Sequence, residues 1–277
     1  MFHDQVVLIP GAARPVGREI ARRFAVDGAA LVLPHFDWPH SVEEMIDEFK
    51  QLGVPCLFME IDLRDREQIQ RLYNATMEKF GKLNYLVNNI ERGGMPIVHG
   101  SYDKDHNQGQ WELELETTLT AKYHLFNTFF ELLKLSGDGA VINISSIAAE
   151  VGRSGPASLL FSDGYSAANQ AISSFTKTWA REGAPEIRVI ELMLGLVEHR
   201  HAQGTRGWSE MSDEQQTDII YHTLLERTAS TKEVADMVYF LAKHATFLTG
   251  QTITMDGGYI LGSERVPEYP EGILHKK

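Results

Sequence analysis

The 277-residue chain has one cysteine, Cys56. A single thiol closes no intramolecular disulfide and builds no CxxC zinc site. This accords with a reducing compartment, and a cytoplasmic protein is expected. No run approaches about 18 apolar residues, so no membrane-spanning helix is expected. The opening residues Met1-Phe2-His3-Asp4-Gln5 carry no basic segment and lead into no long apolar stretch, which argues against a signal peptide. Basic charge is also in deficit, with 26 Lys+Arg against 38 Asp+Glu and a net charge of -12. Without a local basic run such a chain repels phosphate backbones, so nucleic acid is not an expected partner. Repeats and low-complexity tracts are lacking too.

What is present is a chain of 43% hydrophobic and 23% charged residues, close to the globular average. Its length suffices to bury a large core without a disulfide or metal. Short apolar runs at 6–9, 31–33, 57–61, 85–87, 140–144, 188–192 and 252–255 read as strands. Helical periodicity falls between them: after Gly17, over 41–52 with Ser41 and Glu44 as a capping box, and over 66–80, 110–135 and 165–181, then after Ser230. The alternation predicts an α/β fold: a doubly wound parallel sheet of about seven strands with helices on both faces. One domain is expected over 1–261, with a tail over 262–277. The polar stretches 93–109 and 195–212 follow strand ends, where open α/β sheets bind ligands. They are therefore candidate substrate loops.

Between the first strand and helix lies Pro10-Gly11-Ala12-Ala13-Arg14-Pro15-Val16-Gly17. Gly11 permits a tight turn, Gly17 permits close helix–strand packing, and the helix N-terminus turns free N–H groups toward an anion. Further along stand Asp62-Leu63, Asn88-Asn89, Asn143-Ile144-Ser145-Ser146, Tyr165-Ser166-Ala167-Ala168 and Thr249-Gly250-Gln251 through Asp256-Gly257-Gly258. With these motifs the chain, from about Gln5 to Tyr259, resembles the short-chain dehydrogenase/reductase family.

The resemblance implies a Rossmann-type fold, a nicotinamide cofactor, a small-molecule substrate and a homodimer or homotetramer. It places the cofactor on Gly11, Arg14, Pro15, Val16, Gly17, His35, Phe36, Asp62, Leu63, Asn88, Ile90, Tyr165, Asn169, Gly195 and Val197. The family's ribose-binding Asp after the second strand is His35 here. The missing carboxylate, together with Arg14 as a phosphate fork, favours NADP(H) over NAD(H).

The same resemblance assigns Ser146 to polarise a substrate carbonyl and Tyr165 to exchange the proton. It also exposes departures. Pro15 replaces the middle glycine, removing an N–H, though Pro suits a first helical turn. Pro10 replaces a Thr. Asn169 stands where the family has a lysine, and Thr118 where it has the Asn of a water relay. Leu194 replaces a Pro. Ser146 and Tyr165 lie 19 residues apart, and Leu159, Leu160 and Phe161 in the added stretch are candidates for a pocket or subunit contact.

The lost lysine has a size. A free phenol, with a pKa near ~10, is about 0.1% ionised at pH 7, a gap of roughly 4 kcal/mol that a neighbouring cation narrows. Carbonyl reduction is therefore expected to outrun alcohol oxidation at neutral pH. A non-catalytic nucleotide-binding protein on the same fold is the alternative.

Lys122, one turn after Thr118, shares its face. A surface or subunit-contact position is the expectation for so polar a side chain, with approach to the site as the alternative. His199 and His201 are expected as loop histidines, with substrate contact as the alternative. No acidic residue stands at ligand spacing from them, so no metal is expected there. His99, Asp103, Asp105 and His106 read as a solvated loop, again without metal spacing.

Overall fold

The computed structural model describes residues 4–274. Residues 1–3, and 275–277 of the expected tail, lie outside the described residues. Seven strands form one sheet: β1 (Val6–Leu8), β2 (Ala30–His35), β3 (Cys56–Glu60), β4 (Tyr85–Asn88), β5 (Gly139–Ser146), β6 (Ile187–Leu194) and β7 (Gln251–Met255). Their order is β3-β2-β1-β4-β5-β6-β7, and every pairing is parallel. The strands read as continuous apolar runs because both sheet faces are covered. All carboxyl ends open on one edge, and the order reverses between β1 and β4, where a crevice forms.

Seven principal helices connect the strands: α1 (Pro15–Val26), α2 (Pro39–Gln51), α3 (Arg66–Phe80), α4, α5 (Asp163–Gly183), α6 (Asp213–His222) and α7 (Thr231–Lys243). Helix α4 runs through Gln110–Leu115, Glu116–Thr120 and Ala121–Leu135, with π-helical bonding in the middle segment. Alternate strand residues serve opposite faces. Val7, Ile9, Leu31 and Leu33 pack with Ile20, Phe24, Met45, Phe49 and Val238. Val6, Leu8 and Val32 pack with Ile69, Leu72, Phe126, Phe129 and Trp179.

A third cluster lies beyond the strand ends and joins Ile147, Leu160, Phe161, Tyr165, Leu196, Trp208 and Tyr259. Leu160 and Phe161 are thus core residues of the site's floor rather than a subunit contact, while Leu159 is half-buried.

Several local expectations are corrected. Helix α2 begins at Pro39, not Ser41, and its N-cap, Trp38, sits in the left-handed region without a side-chain cap. Ser41 instead lies within the first turn, where its carbonyl accepts from Arg18. The reciprocal capping boxes are at Ser212–Gln215 of α6 and Ser230–Glu233 of α7. Helix α6, whose amphipathicity is weak, escaped the periodicity reading. Stretch 93–109 holds short helical turns at Pro96–His99 and Asp105–Asn107, and Arg206–Ser209 lies within 195–212.

Candidate active site

The turn after β1 is built by close approach. Gly11 has φ +73°, and a Cβ there would stand 2.4 Å from the Asn89 carbonyl oxygen. A Cβ on Gly17 would stand 2.4 Å from the Gly11 carbonyl oxygen, so α1 can begin against the turn only without side chains. Arg14 is the N-cap of α1 and makes no side-chain cap. Pro15 follows at N1, where its missing N–H leaves no helix bond unmade. The N–H groups of Val16 and Gly17 therefore head an open helix end.

A cleft beside this turn is lined by Ala13, Arg14, Pro15, Arg18, Arg22, Glu198 and His199, among others. Arg18 pairs with Glu44, and Arg22 with Glu19 and Glu48. Arg14 instead lies 4.2 Å over the Trp38 ring. An uncapped helix end beside a guanidinium fits the phosphates of a dinucleotide.

The remaining sequence-derived cofactor residues spread along the strand ends. His35 closes β2 half-buried, and burial lowers its pKa, favouring the neutral ring. Phe36 is half exposed, with Arg64 5.8 Å over its ring. Asp62 is held by Arg64 at 2.7 Å, and that hydrogen bond lowers its pKa. Leu63 is buried and Ile90 packs against the same cluster.

Asn88 is fully buried and donates to Asn143 at 2.8 Å, which donates to Thr176 at 2.9 Å. The Asn88 side chain thus ties β4 to β5, while its buried Oδ1 has no partner. A Cβ on Gly195 would meet the Asp256 backbone at 2.6 Å. Val197 is buried and bridges to Ala229.

The catalytic candidates converge where β4, β5 and β6 end. Ser146 closes β5, and its hydroxyl accepts from the Ala148 N–H at 3.2 Å. Tyr165 lies in the first turn of α5, whose N-cap is Ser162. Asn169 follows one turn later. Its amide donates to the Tyr165 carbonyl at 2.9 Å, and its buried Oδ1 has no partner. Thr118 sits in the π-helical segment of α4 and is buried. Its hydroxyl accepts from the Arg92 N–H at 2.9 Å, so it braces the segment after β4.

Three further residues complete the centre: Glu91 and Arg200, which the sequence did not single out, and His201, whose alternative reading there is substrate contact. Glu91, just past β4, accepts the Tyr165 hydroxyl at 2.7 Å. Arg200, from the segment after β6, donates through Nε to Glu91 at 2.6 Å and through Nη2 to the other carboxylate oxygen. The same Nη2 reaches the Ser145 carbonyl at 3.0 Å and the Tyr165 hydroxyl at 3.4 Å. His201 places Nε2 2.9 Å from the Tyr165 hydroxyl. Because that hydroxyl donates to Glu91, the consistent tautomer carries its proton on Nε2 and leaves Nδ1 a buried acceptor.

Lys122 is not a surface lysine. It is fully buried, and its ammonium donates to the Ile144 carbonyl at 2.7 Å. The sequence signal for Glu91 and Arg200 was only their charge, whereas Lys122 was marked by its place one turn after Thr118.

Charge within this centre is strongly coupled. Burial pushes the Tyr165 phenol well above its ordinary pKa, with Arg200 opposing and Glu91 reinforcing the rise. Burial also works to raise Glu91, yet the Arg200 guanidinium prevails and holds it well below the carboxylate range. Lys122 is brought down to about 7 by burial. At neutral pH the phenol is therefore protonated and the carboxylate ionised. Among the described residues no group of three or more His, Cys, Asp or Glu is placed to hold a metal.

The model of a family described as enoyl-(acyl carrier protein) reductase matches residues 11–260. An uncharacterized oxidoreductase, YxjF, of Bacillus subtilis is 30% identical over 93% of this chain and 99% of its own. A trans-4-hydroxycyclohexanecarboxylate dehydrogenase of Sinomonas cyclohexanicum is 31% identical over 94% of each chain. Among solved structures, a short-chain dehydrogenase/reductase of Brucella melitensis superposes with a TM-score of 0.77 at 27% identity, over 93% of this chain and 97% of its own. With the parallel sheet, the glycine turn and the Ser146–Tyr165 centre in place, the chain belongs to the short-chain dehydrogenase/reductase family and is an NAD(P)-dependent oxidoreductase of the CH–OH/C=O class.

Proposed function

We propose that the chain reduces the carbonyl group of a small or medium organic substrate, with NADP(H) as the preferred cofactor. The observation that carries this reading is the Tyr165 hydroxyl, buried and held protonated within hydrogen-bond reach of Glu91 and His201. A phenol that is protonated at neutral pH is in the state that gives a proton and does not take one. A bound reduced nicotinamide supplies the hydride to the carbonyl carbon. Tyr165 gives its proton to the carbonyl oxygen, and Ser146 donates a hydrogen bond to that oxygen. The phenolate left behind faces Arg200 and the His201 N–H, which stabilise it until solvent restores the proton.

Asn169, whose buried oxygen lacks a partner, would hold a hydroxyl of the nicotinamide ribose. Thr118 acts through position, by holding the segment that carries Glu91. At the other end of the cleft, Arg14 reads a 2′-phosphate beside the neutral His35. The active form is a homodimer or homotetramer in the cytoplasm.

NADPH-dependent turnover over a carbonyl panel tests the reading. Tyr165→Phe is expected to lower kcat by about 10²–10⁴, the range for positioned proton transfer, while leaving NADPH binding intact. Retention of full turnover by Tyr165→Phe removes Tyr165 from the chemistry. At about 100 times its dissociation constant, NADPH is expected to stabilise the fold by about 2.7 kcal/mol, and NADH at the same concentration by less. An equal or larger shift with NADH overturns the NADP(H) preference.

A further inference from the structure

The four polar contacts made to Glu91 describe a receptor. Arg200 Nε meets one carboxylate oxygen at 2.6 Å, and Arg200 Nη2 and the Tyr165 hydroxyl meet the other, the hydroxyl at 2.7 Å. His201 Nε2 stands 3.6 Å from the first oxygen. A planar guanidinium edge, here with one hydroxyl donor beside it, is the arrangement that recognises a carboxylate bidentately. Three residues from two separate elements build it, Tyr165 from α5 and Arg200 and His201 from the segment after β6, and all three side chains are more than nine-tenths buried. Arg200 Nη1 is buried as well and has no partner, so the guanidinium retains an unused donor.

The carboxylate that fills this receptor is the one member of the cluster near the surface. The Glu91 side chain is 20% exposed against 6% for Arg200. Removing Glu91 outright would strand a buried guanidinium. Exchanging it for another carboxylate would not, because the ion pair is re-formed as it breaks and the Glu91 carboxylate regains water.

We propose that the Arg200 edge, with His201 beside it, forms a substrate-carboxylate subsite which Glu91 fills in the ligand-free protein, that the Tyr165 hydroxyl is then released to the neighbouring carbonyl, and that the substrate is an oxo acid or the matching hydroxy acid. The inference rests on the reading of Tyr165 as the group that faces the reacting oxygen. Arg200 Nη2 and the Tyr165 hydroxyl lie 3.4 Å apart, a spacing that a carboxylate oxygen and an oxygen one or two carbons away can span together. The class is therefore 2-oxo and 3-oxo acids, with the Arg200 edge setting specificity and Tyr165 serving the neighbouring carbonyl.

The test requires neither cofactor nor turnover. Glu91→Ala vacates the receptor, and its melting temperature is followed with sodium acetate against sodium chloride at equal ionic strength. With a millimolar dissociation constant, about 50 mM acetate is expected to raise the melting temperature of Glu91→Ala by about 3 °C beyond chloride, and that of the unmodified protein by far less. The double variant Glu91→Ala with Arg200→Leu is expected to lose the difference. Equal responses to acetate and chloride in Glu91→Ala overturn the proposal.

Should that variant not fold, the unmodified protein decides. About 20 mM 3-hydroxybutanoate is expected to stabilise it where 3-hydroxybutanamide does not. Equal shifts with the two, or none with either, overturn it. Because these titrations read binding alone, they can fail while Tyr165→Phe still abolishes turnover, and the converse outcome separates the two readings equally well.

Discussion

Lys122 shows how a single residue's surroundings change its chemistry. Its ammonium is taken out of water and given one carbonyl acceptor, that of Ile144, and its pKa falls to about 7. An unfolded lysine titrates near ~10.4. Between about pH 7 and that value the unfolded chain holds a proton that the folded one has released, so stability rises with pH across this window. Lys122→Met abolishes the difference. The unmodified protein is therefore expected to gain stability relative to Lys122→Met as pH goes from 7 to 10, by at most about 1.4 kcal/mol per unit, measured by urea unfolding. A gap that does not change with pH removes the assignment. Arg200 is the opposite case: it keeps its charge in burial because Glu91 is beside it. Its Nη2 also reaches the Tyr165 hydroxyl at 3.4 Å, a cationic contact that the neutral Asn169 amide cannot offer.

At the scale of elements, one network ties a loop to the helix that carries Tyr165. Tyr102, from the 93–109 stretch, donates to the buried Glu114 of α4 at 2.7 Å and accepts from the Gly164 N–H of α5 at 2.9 Å. Ser162, the N-cap of α5, donates to the same carboxylate at 2.8 Å, and Gln110 donates at 3.0 Å. Loop, α4 and α5 thus share one carboxylate, which needs all its donors to remain buried at low cost. Tyr102→Phe removes one donor to Glu114 and the acceptor of Gly164. It is expected to cost about 1–3 kcal/mol and to speed amide exchange across 93–109 more than elsewhere, read by hydrogen–deuterium exchange. A uniform change across the chain would show that the network does not hold the loop. The polar loop was visible in the sequence, but its clamp was not, since Tyr102, Glu114 and Ser162 share no local spacing and meet only because α4 and α5 pack together.

The whole molecule carries a row of rings on the outer side of α4 and α5. Tyr123 lies 5.7 Å from Phe175, which stacks 5.0 Å from Trp179 and leads inward to Phe126. Tyr123 is 45% exposed and Trp111 39%, so apolar surface on this face is left to water in a single chain. Burial against a second copy would remove it. Sedimentation equilibrium is expected to give a multiple of the 31.2 kDa chain mass at micromolar concentration. Tyr123→Asp combined with Phe175→Asp is expected to shift it toward the monomer, and a monomeric unmodified protein would overturn the expected oligomer.

The parallel sheet of about seven strands and the glycine turn were legible in the sequence because each rests on local rules, and Ser146 and Tyr165 stood out because they match the family's motifs. Apolar runs of strand length, helical periodicity and a glycine forced by backbone approach need only neighbours along the chain. Helix α6 lay beyond those rules because its apolar stripe is weak, and the start of α2 because Pro39 and a left-handed Trp38 displaced the Ser41 cap. The character of the active centre was decided by tertiary structure alone. Glu91 and Arg200 stand 109 residues apart, and only the adjacent ends of β4, β5 and β6 bring them to Tyr165. A charge read from sequence is a solvated charge until the fold removes its water. Once it does, burial itself keeps the Tyr165 phenol protonated and lowers the Lys122 amine, while the Arg200 beside Glu91 keeps that carboxylate an anion.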